Sequence, residues 1–234
     1  MQAVILCGGL ATRLGSLTQK QPKSMINIAG KPFLEHQLDG LRDGGVSNIV
    51  LCVGHLGEQI EEHFGDGRKF GVDIVYSSEG DNLLGTAGAL KKAEALLDSE
   101  FFIMYGDSYL FLDYCALMSY FNEHSKLGLM TVYRNRDLYD KSNVVIEDSL
   151  VKVYSKTEKS KDMVYIDYGA SILRKNALEL IPSNKQYPLE DFSQSLIKRG
   201  ELLAYEIHHR FYEIGSPQGL KEFEEYIVDK RRAR

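Results

Sequence analysis

The sequence predicts an α/β fold in which one sheet is flanked by helices on both faces. Short apolar runs, typical of strands buried in a parallel sheet, alternate with segments that carry apolar residues at helical spacing. Glycine- and proline-containing turns separate these segments. At 234 residues the chain is near the upper range for one α/β domain, and no linker or repeat interrupts it. We therefore expect residues 1–234 to form a single domain.

In the first half of the chain, predicted strands and helices alternate. Leu34, Leu38 and Leu41 share one face of a helix that Pro32 opens at an early helical position, and Thr86 can cap a later helix. Such alternation indicates a doubly wound sheet. The predicted order is a strand at 3–7, a helix from 31 to the glycines at 44–45, a strand at 48–53, a short helix through 64, a strand at 72–76, a helix from 86 and a strand at 101–105.

The second half of the chain is less regular, so we expect the complete sheet to be mixed and Rossmann-like. Gly169 interrupts one long strand, and Leu220, Phe223 and Ile227 lie at helical spacing in the last helix. The predicted elements are a helix near 113–124, strands at 127–133, 144–146, 151–154 and 164–173, a helix near 189–198, strands at 202–207 and 211–214, and a helix from 216.

Composition restricts the choice of partner and compartment. The 28 Lys and Arg residues against 33 Asp and Glu residues give a net charge of −5, which argues against nucleic acid or an anionic membrane as the main partner. No stretch approaches the ~20 apolar residues of a membrane span. The three cysteines are far apart and form no C-x-x-C pair, so we expect free thiols and a cytoplasmic protein. The sequence leaves open whether the protein is a homo-oligomer.

The first candidate site follows the first strand. That strand ends at Leu6-Cys7 and breaks into Gly8-Gly9, after which come Thr12, Arg13 and, behind a stiff proline, Lys23. Glycines let backbone N–H groups approach an anion, and the two cations add charge, so this loop is expected to bind phosphate. Its spacing matches neither the P-loop G-x-x-x-x-G-K-[ST] nor the dinucleotide motif G-x-G-x-x-G.

Two further segments could hold a base or ribose. In Gly85-Thr86-Ala87-Gly88, small residues at a helix N-terminus would let a flat group lie against the backbone, although they would equally permit close packing of the helix. Glu79 lies in the loop ahead of this segment. Because a carboxylate only accepts hydrogen bonds, Glu79 could receive the N–H groups of guanine, or it could be a solvated loop residue.

Gly106-Asp107 comes directly after the predicted strand at 101–105. Ligands of open parallel sheets bind outside the carboxyl ends of the strands, which is where Asp107 would lie. A carboxylate beside a phosphate loop suits Mg²⁺, which takes few protein oxygens and keeps its waters. The alternative is that Asp107 only caps the strand end.

These motifs together resemble those of the sugar-1-phosphate nucleotidylyltransferases. The run from Gly8 to Leu14, followed by Pro22-Lys23-Ser24-Met25, is similar to the family signature, with Ala11 where many members have Gly and Gly15-Ser16 where many have Pro. The segment that begins at Gly85 resembles the family's G-T-A/G-G-A, and residues 211–216 resemble W-x-D-x-G-T. In the last segment Phe211 stands at the Trp position and Glu213 at the acidic one. The resemblance runs over nearly the whole chain.

The resemblance implies the reaction NTP + sugar 1-phosphate → NDP-sugar + pyrophosphate on a nucleotidyltransferase fold like that of GT-A enzymes. It implies that Arg13, Lys23 and Asp107 are catalytic and that Asp107 and Glu213 hold Mg²⁺. The implied nucleotide-binding residues are Leu6, Gly8, Gly9, Thr12, Arg13, Glu79, Gly85, Thr86 and Ala87, and the implied sugar-phosphate-binding residues are Lys23, Asp107, Lys156, Asp167 and Gly169. Longer members add a carboxyl-terminal β-helix, which we expect this chain to lack.

The nucleotide and the sugar are less well determined. The opening Leu6–Leu10 segment looks most like heptose- or mannose-1-phosphate guanylyltransferases, and Glu79 and Asp81 supply acceptors that suit guanine, so GTP is favoured. A uridylyltransferase acting on another sugar 1-phosphate is the alternative. A glycosyltransferase would be expected to carry Asp-x-Asp after a central strand, which the segment at Asp107 does not provide. A non-catalytic sensor would be expected to have lost Arg13, Lys23 or Asp107.

Overall fold

The computed structural model describes residues 1–9, 20–80 and 83–232. Within these residues most strands join one large mixed sheet, and helices cover both of its faces. The strands are β1 Gln2–Leu6, β2 Asn27–Ile28, β3 Lys31–Pro32, β4 Asn48–Val53, β5 Asp73–Ser78, β6 Glu100–Tyr105, β7 Ser108–Tyr109, β8 Gly128–Tyr133, β9 Val144–Glu147, β10 Leu150–Tyr154, β11 Ile166–Arg174, β12 Leu202–Ile207 and β13 Tyr212–Glu213. The helices are α1 Phe33–Asp43, α2 Gly57–Phe64, α3 Gly85–Lys92, α4 Tyr114–Asn122, α5 Leu189–Lys198 and α6 Pro217–Arg232.

The large sheet has the strand order β5-β4-β1-β6-β11-β8-β12-β10-β9. Strands β5, β4, β1 and β6 are parallel to one another, whereas β11 runs antiparallel to both β6 and β8. Strand β12 is parallel to β8, and β10 and β9 complete the sheet in antiparallel pairs. The α/β prediction with a mixed sheet is therefore confirmed. The parallel part comes from the regular first half of the chain.

Alternating side chains of the central strands build a core on each face of the sheet. In β1, Ala3 and Ile5 pack with α1, α2 and α4, while Val4 between them packs with α3 and α5. Helix α6 covers a third cluster in which Phe223 contacts the ring of Phe33. Burial of each large apolar side chain contributes about 1.5–3 kcal/mol, so these layers fix the ends of the strands firmly.

Three local predictions differ from the structure. Pro32 precedes α1 as its N-cap and belongs to the short hairpin of β2 and β3. Thr86 does not cap its own helix, because Leu84 occupies that position in α3. Its hydroxyl instead accepts a hydrogen bond of 2.7 Å from the backbone N–H of Leu189, the first residue of α5. The strand expected at 211–214 is only two residues long.

The parallel strands bring several chain segments to one edge of the sheet. Leu6 at the end of β1 lies opposite Tyr105 at the end of β6, and the N–H of Gly106 donates to the Leu6 carbonyl at 3.0 Å. Strands β4 and β5 end at the same edge, where Glu79 follows β5. Among the described residues, no helix has the length and apolar character needed to cross a membrane.

Candidate active site

A cavity of about 440 Å³ opens at the carboxyl ends of the parallel strands. Its walls include part of the predicted nucleotide-binding set, namely Leu6, Gly8, Gly9, Glu79, Gly85 and Thr86, together with Lys23 and Asp107. Glycine is required at position 106 on its floor, because a Cβ there would lie 2.8 Å from the Leu6 carbonyl oxygen and 2.9 Å from the sulfur of Cys7. The structure thus brings the two strand-end motifs against each other.

Glu79 is a wall residue of this cavity and not a solvated loop residue. Only 8% of it is exposed, and its Oε2 atom accepts a 2.7 Å hydrogen bond from the N–H of Leu84. Burial raises the pKa of the Glu79 carboxyl, while the Leu84 N–H and the charge of Lys92 partly oppose that shift. A carboxylate held in this way is a fixed hydrogen-bond acceptor.

The small residues of α3 are divided between the cavity wall and the protein core. Gly85 and Thr86 line the cavity, but Ala87 is fully buried and its N–H donates to the carbonyl of Tyr187 at 3.0 Å. The structure therefore places Ala87 in the core and not on the cavity wall, where Ala89 lies instead. Gln186, which the sequence analysis missed, reaches the cavity because the segment before α5 packs directly on α3.

Lys23 and Asp107 form an ion pair at the mouth of the cavity. Lys23 Nζ lies 2.6 Å from Asp107 Oδ2, with 14% and 32% of the two side chains exposed. Lys23 opens a short 3-10 turn, and the hydroxyl of Ser108 donates to the other Asp107 oxygen at 3.2 Å. The amide of Gln37 donates to the Tyr105 and Ser108 carbonyls at 2.9 and 2.7 Å, which fixes the turn that carries Asp107.

Cys7 also lines the cavity, but its chemistry is passive. Burial raises the pKa of its thiol to about 12, so the sulfur is protonated near neutral pH. Cys7 and Cys52 are buried free thiols, as predicted, whereas Cys115 is exposed. A nucleophilic role for Cys7 is therefore not supported.

A second cavity of about 650 Å³ adjoins the first, and the two share Tyr105 and Asp107. Segments 139–143, 155–159 and 166–169 form most of its walls. All the predicted sugar-phosphate residues except Lys23 line it, namely Asp107, Lys156, Asp167 and Gly169. The two cavities are thus neighbours, and the end of β6 lies between them.

Gly169 lets β11 bend beside Asp107. Its φ of +103° lies in the region that favours glycine, and the register of β11 against β8 shifts between Asp167 and Ser171. A Cβ at position 169 would lie 3.2 Å from the Ser108 hydroxyl oxygen. This close approach shapes the second cavity next to the ion pair.

Two tyrosines that the sequence analysis missed stand between Asp167 and Lys156. The hydroxyls of Tyr105 and Tyr154 donate to Asp167 Oδ2 at 3.4 and 3.0 Å, and burial together with the Asp167 charge raises the pKa of both tyrosines. The Lys156 ammonium lies 5.0 Å from the centroid of the Tyr105 ring. The one signal in the sequence is that Tyr105 directly precedes Gly106-Asp107.

Glu213 reaches the second cavity from β13. That strand pairs with β7, so Glu213 lies opposite Ser108, and the N–H of Ile214 donates to the Asp107 carbonyl at 2.9 Å. One Glu213 oxygen accepts from the hydroxyl of Ser216 at 2.5 Å and the other from the N–H of Gly215, at the start of α6. Glu213 therefore supports the helix start as well as facing the cavity.

The carboxylates of Asp107 and Glu213 fit a divalent cation that is held partly by the phosphate groups of a bound ligand. Asp107 and Glu213 both line the second cavity, and Mg²⁺ commonly takes one or two carboxylates and completes its shell with phosphate and water. Across residues 1–9, 20–80 and 83–232, no group of three or more His, Cys, Asp and Glu side chains could hold a metal on its own. A dedicated protein cage is thus absent from the described part of the chain.

Three of the candidate residues lie outside the described residues. They are Thr12 and Arg13 of the phosphate loop and Asp81 of the loop after Glu79. Lys23 and Glu79 lie close to these segments in the chain and border the first cavity.

Comparison with known proteins identifies a matching family. Residues 2–230 match the model of the family described as nucleotidyl transferase. The chain is 33% identical over 224 residues to the D-glycero-α-D-manno-heptose 1-phosphate guanylyltransferase of Campylobacter jejuni, covering 95% of this chain and 98% of that protein. It is also 33% identical to the UTP–glucose-1-phosphate uridylyltransferase of Synechocystis, with 81% of this chain and 53% of that protein covered. A mannose-1-phosphate guanylyltransferase catalytic subunit of Drosophila pseudoobscura is 31% identical, with 93% and 60% covered.

Solved structures show the same architecture. HddC from Yersinia pseudotuberculosis in complex with GMP-PN superimposes with a TM-score of 0.82 at 28% identity, covering 97% of this chain and 99% of that one. A glucose-1-phosphate thymidylyltransferase structure from Bacillus anthracis, described as putative, gives a TM-score of 0.85 at 20% identity, with 97% and 94% covered. At that identity the second likeness supports the fold alone.

Proposed function

This chain belongs to the nucleotidyl transferase family and is a sugar-1-phosphate nucleotidyltransferase, and we propose that its substrates are GTP and a heptose or mannose 1-phosphate. We also propose that residues 1–234 act as one nucleotidyltransferase domain. The products are the corresponding GDP-sugar and pyrophosphate.

One observation carries this proposal: the two cavities are adjacent and have Tyr105 and Asp107 in common, which mark their junction. The first cavity offers glycine backbone and a fixed carboxylate, which suit a nucleotide. The second is rich in polar and charged side chains, which suit a sugar phosphate. A reaction that joins the two substrates would take place where the cavities meet.

The chemistry requires little covalent participation by the protein. An oxygen of the sugar phosphate attacks the α-phosphorus of the nucleotide in line, the bond from that phosphorus to the β-phosphate oxygen breaks, and pyrophosphate leaves with the electron pair. Catalysis then depends on positioning and on stabilising charge on the phosphates. The residues around the junction include cations, carboxylates and a tyrosine, which can position the substrates and stabilise charge on their phosphates.

Each charged residue has a proposed role. Lys23 neutralises the α-phosphate and the approaching sugar phosphate: an ammonium has three N–H donors, and its contact with Asp107 uses one of them. Arg13 holds the β- and γ-phosphates and the departing pyrophosphate. Lys156 binds the phosphate of the sugar, and Asp167 accepts hydrogen bonds from sugar hydroxyls.

Nucleotidyltransferases of this family generally use divalent metal ions, and we propose Mg²⁺ here. Asp107 would be its principal protein ligand and Glu213 a second one. When bound, the cation would neutralise phosphate charge at the reacting centre. Between these residues, Asp107 is the stronger candidate, because it lines both cavities whereas Glu213 lines only the second.

The preference for GTP rests on Glu79. Guanine presents the N1–H and N2–H₂ donors on one edge, which a fixed carboxylate can accept, whereas uracil presents both a donor and acceptors. The buried Glu79 on the cavity wall matches the guanine pattern. The heptose-1-phosphate guanylyltransferase of Campylobacter jejuni, which this chain covers almost completely, supports the same choice.

The preference for a neutral sugar rests on the charges of the second cavity. Its described walls carry five carboxylates and three lysines, so hydrogen-bond acceptors for hydroxyl groups outnumber cations. The walls include Asp140 and Glu158 in addition to Asp167, as expected for a substrate with many hydroxyls and a single phosphate. We expect the lysines to serve that phosphate.

Pyrophosphate release measured for four NTPs against a panel of sugar 1-phosphates, in the presence of Mg²⁺, tests the proposal. The highest kcat/KM is expected for GTP with a heptose or mannose 1-phosphate. Turnover with UTP and glucose 1-phosphate as the best pair would establish the alternative, which the 33% identity to the Synechocystis uridylyltransferase favours. Absence of turnover with every pair would overturn the enzymatic assignment itself.

A further inference from the structure

Lys156 and Asp167 stand on a platform formed by two tyrosines. The Lys156 ammonium lies over the Tyr105 ring, 5.0 Å from its centroid and 3.5 Å from its hydroxyl oxygen, and 5.9 Å from the centroid of the Tyr154 ring. Both tyrosine hydroxyls point to the same oxygen of Asp167, at 3.4 and 3.0 Å. One pair of rings thus contacts both a cation and a carboxylate.

The platform is rigid where it is buried. Tyr154 is fully buried, and Tyr105 is the last residue of the central strand β6, with its carbonyl held by the Gln37 amide. The other Asp167 oxygen accepts from the N–H of Gly169, and the backbone N–H of Asp167 donates to Asn143. Lys156, by contrast, is exposed, so its long side chain would sample many rotamers without a partner.

We propose that Tyr105 and Tyr154 are positioning residues that hold the Lys156 ammonium and the Asp167 carboxylate toward one sugar 1-phosphate. The rings restrict Lys156 by a cation–π contact, and the hydroxyls fix the direction of Asp167. The inference rests on the proposed function, because it takes Lys156 as the ligand of the sugar phosphate. It gives Tyr105 and Tyr154 a role that they exert through Lys156 and Asp167. Tyr105 is also one of the residues that line both cavities.

A double-mutant cycle on the full-length protein tests the inference. Tyr105→Leu should raise KM for the most active sugar 1-phosphate of the substrate screen about two- to fivefold, the range expected for an exposed cation–π contact. Tyr105→Phe, which keeps the ring, should restore most of that loss. In a Lys156→Met background, Tyr105→Leu and Tyr105→Phe should give the same KM, since the cation that the ring restricts is gone and both variants lack the hydroxyl that contacts Asp167.

Two measurements separate positioning from a general structural effect. Because Tyr105 also lines the nucleotide cavity, the Kd of the nucleotide should be measured directly in each variant and should change less than KM for the sugar 1-phosphate. Tyr114→Phe is the matched control. The buried hydroxyl of Tyr114 contacts the sulfur of Met104, which precedes Tyr105 in β6, and Tyr114 lines neither cavity. This variant should leave both constants unchanged.

The outcomes are distinguishable. A difference in KM between Tyr105→Leu and Tyr105→Phe that persists unchanged in the Lys156→Met background would overturn the positioning role and leave the proposed reaction standing. An unchanged KM for the sugar 1-phosphate in Lys156→Met would overturn both the role of Lys156 and the inference. If no sugar 1-phosphate supports turnover in the screen, the proposed function fails and the inference fails with it.

Discussion

At the scale of single residues, the paired charges of Lys23 and Asp107 control the junction of the two cavities. Their 2.6 Å contact holds an ammonium and a carboxylate side by side at the end of β6. Under the proposed function, a phosphate that arrives there would meet a cation that is already oriented, and a metal ion would meet a carboxylate that the chain has fixed through Ser108. The pair is partly exposed, so its main effect is on orientation and only weakly on stability.

Replacement of Asp107 tests this arrangement. Asp107→Asn should lower kcat by ~10²-fold or more, the scale seen when one preorganised electrostatic group is removed from an active site. Steady-state turnover at saturating Mg²⁺ measures the effect. Asp113→Asn is the control, because Asp113 caps α4 by accepting from the N–H of Ala116 and Asn caps equally well. A near-normal rate in Asp107→Asn would mean that the metal and the chemistry lie elsewhere.

Glu79 provides a second prediction at this scale. Glu79→Gln replaces one acceptor oxygen with a donor, so the ratio of kcat/KM for GTP to that for UTP should fall by ~10-fold or more, as for a hydrogen bond to a charged group. Rates with both nucleotides and one sugar phosphate give this ratio. Glu62→Gln on the exposed side of α2 should leave the ratio unchanged. Preference for UTP in the unmodified protein would contradict the guanine assignment.

The same carboxyl predicts a pH dependence of stability. Burial raises the pKa of Glu79 above its ordinary value of 4.5, so between 4.5 and the folded-state pKa the folded protein binds more protons than the unfolded chain. The stabilising contribution of Glu79 is therefore complete below the unfolded pKa and is lost as pH rises through the folded pKa. Urea denaturation across this range should show the unfolding free energy of the unmodified protein falling with pH relative to that of Glu79→Gln. A difference that does not change with pH would contradict the buried position of this carboxyl.

The sequence predicts a site residue when its position relative to a strand or helix marks it, and fails when only tertiary packing brings it to the site. Glu79, Gly85 and Asp107 could be selected because each follows a strand or opens a helix, and strand ends define the site edge. Tyr154 could not be selected, because its partner Asp167 belongs to another strand and their proximity depends on tertiary packing. The sequence also predicts Ala87 as a nucleotide-binding residue, because it does not reveal that the segment before α5 covers Ala87.

At the scale of secondary-structure elements, the packing of α3 against the segment 185–187 shapes the first cavity. The N–H groups of Ala87 and Gly88 both donate to the Tyr187 carbonyl, at 3.0 and 3.1 Å, and the N–H of Tyr187 donates to the carbonyl of Leu84 at 2.8 Å. A Cβ at position 88 would lie only 3.0 Å from the Lys185 carbonyl oxygen. Glycine there sets the distance between the helix and a segment that carries Gln186 into the cavity.

Two glycine substitutions in helices should therefore have opposite effects. Gly40→Ala in α1 meets no atom within 4 Å and should raise the unfolding free energy by about 0.5–1 kcal/mol through helix propensity. Gly88→Ala should lower it by ~1–3 kcal/mol, as for overpacking, and should also weaken nucleotide binding. Urea unfolding and direct measurement of the GTP Kd would record both effects. Equal stabilisation by the two substitutions would show that segment 185–187 does not press on α3.

The elements themselves were predicted unequally. The bounds of β4, α5 and β12 agree with those expected from apolar runs and helical spacing, because each buries a regular face against the core. The pairs β2–β3 and β7–β13 were missed as pairs, since a two-residue strand has no detectable period. The second pair matters for function, because it brings Glu213 beside the segment of Asp107.

At the scale of the whole molecule, the sheet changes character at the boundary between the two cavities. Strand β6 is parallel to β1 on one side and antiparallel to β11 on the other. The first cavity lies at the ends of the parallel strands, whereas β11 supplies Asp167 and Gly169 to the second cavity. The strand order that produces this division depends on long-range pairing, so the sequence predicted the two groups of residues without predicting how they join.

Because a nucleotide at the proposed site would bind the folded protein and not the unfolded chain, nucleotide binding should stabilise the entire fold. At a free concentration of 100 times Kd, a ligand that binds only the folded protein adds about 2.7 kcal/mol, which for a chain of this length corresponds to a rise in Tm of about 5–10 °C. Thermal denaturation with Mg²⁺ and equal concentrations of GTP or UTP should therefore give the larger shift with GTP.

Removal of the metal with a chelator should reduce the shift produced by GTP, and Asp107→Asn should remove most of this metal dependence. Asp113→Asn, which changes a carboxylate outside both cavities, should retain it. Equal shifts for GTP and UTP would contradict the role of Glu79. A GTP shift that is insensitive to the chelator in the unmodified protein would instead contradict the role of Asp107, because binding would then not involve a cation at the junction of the two cavities.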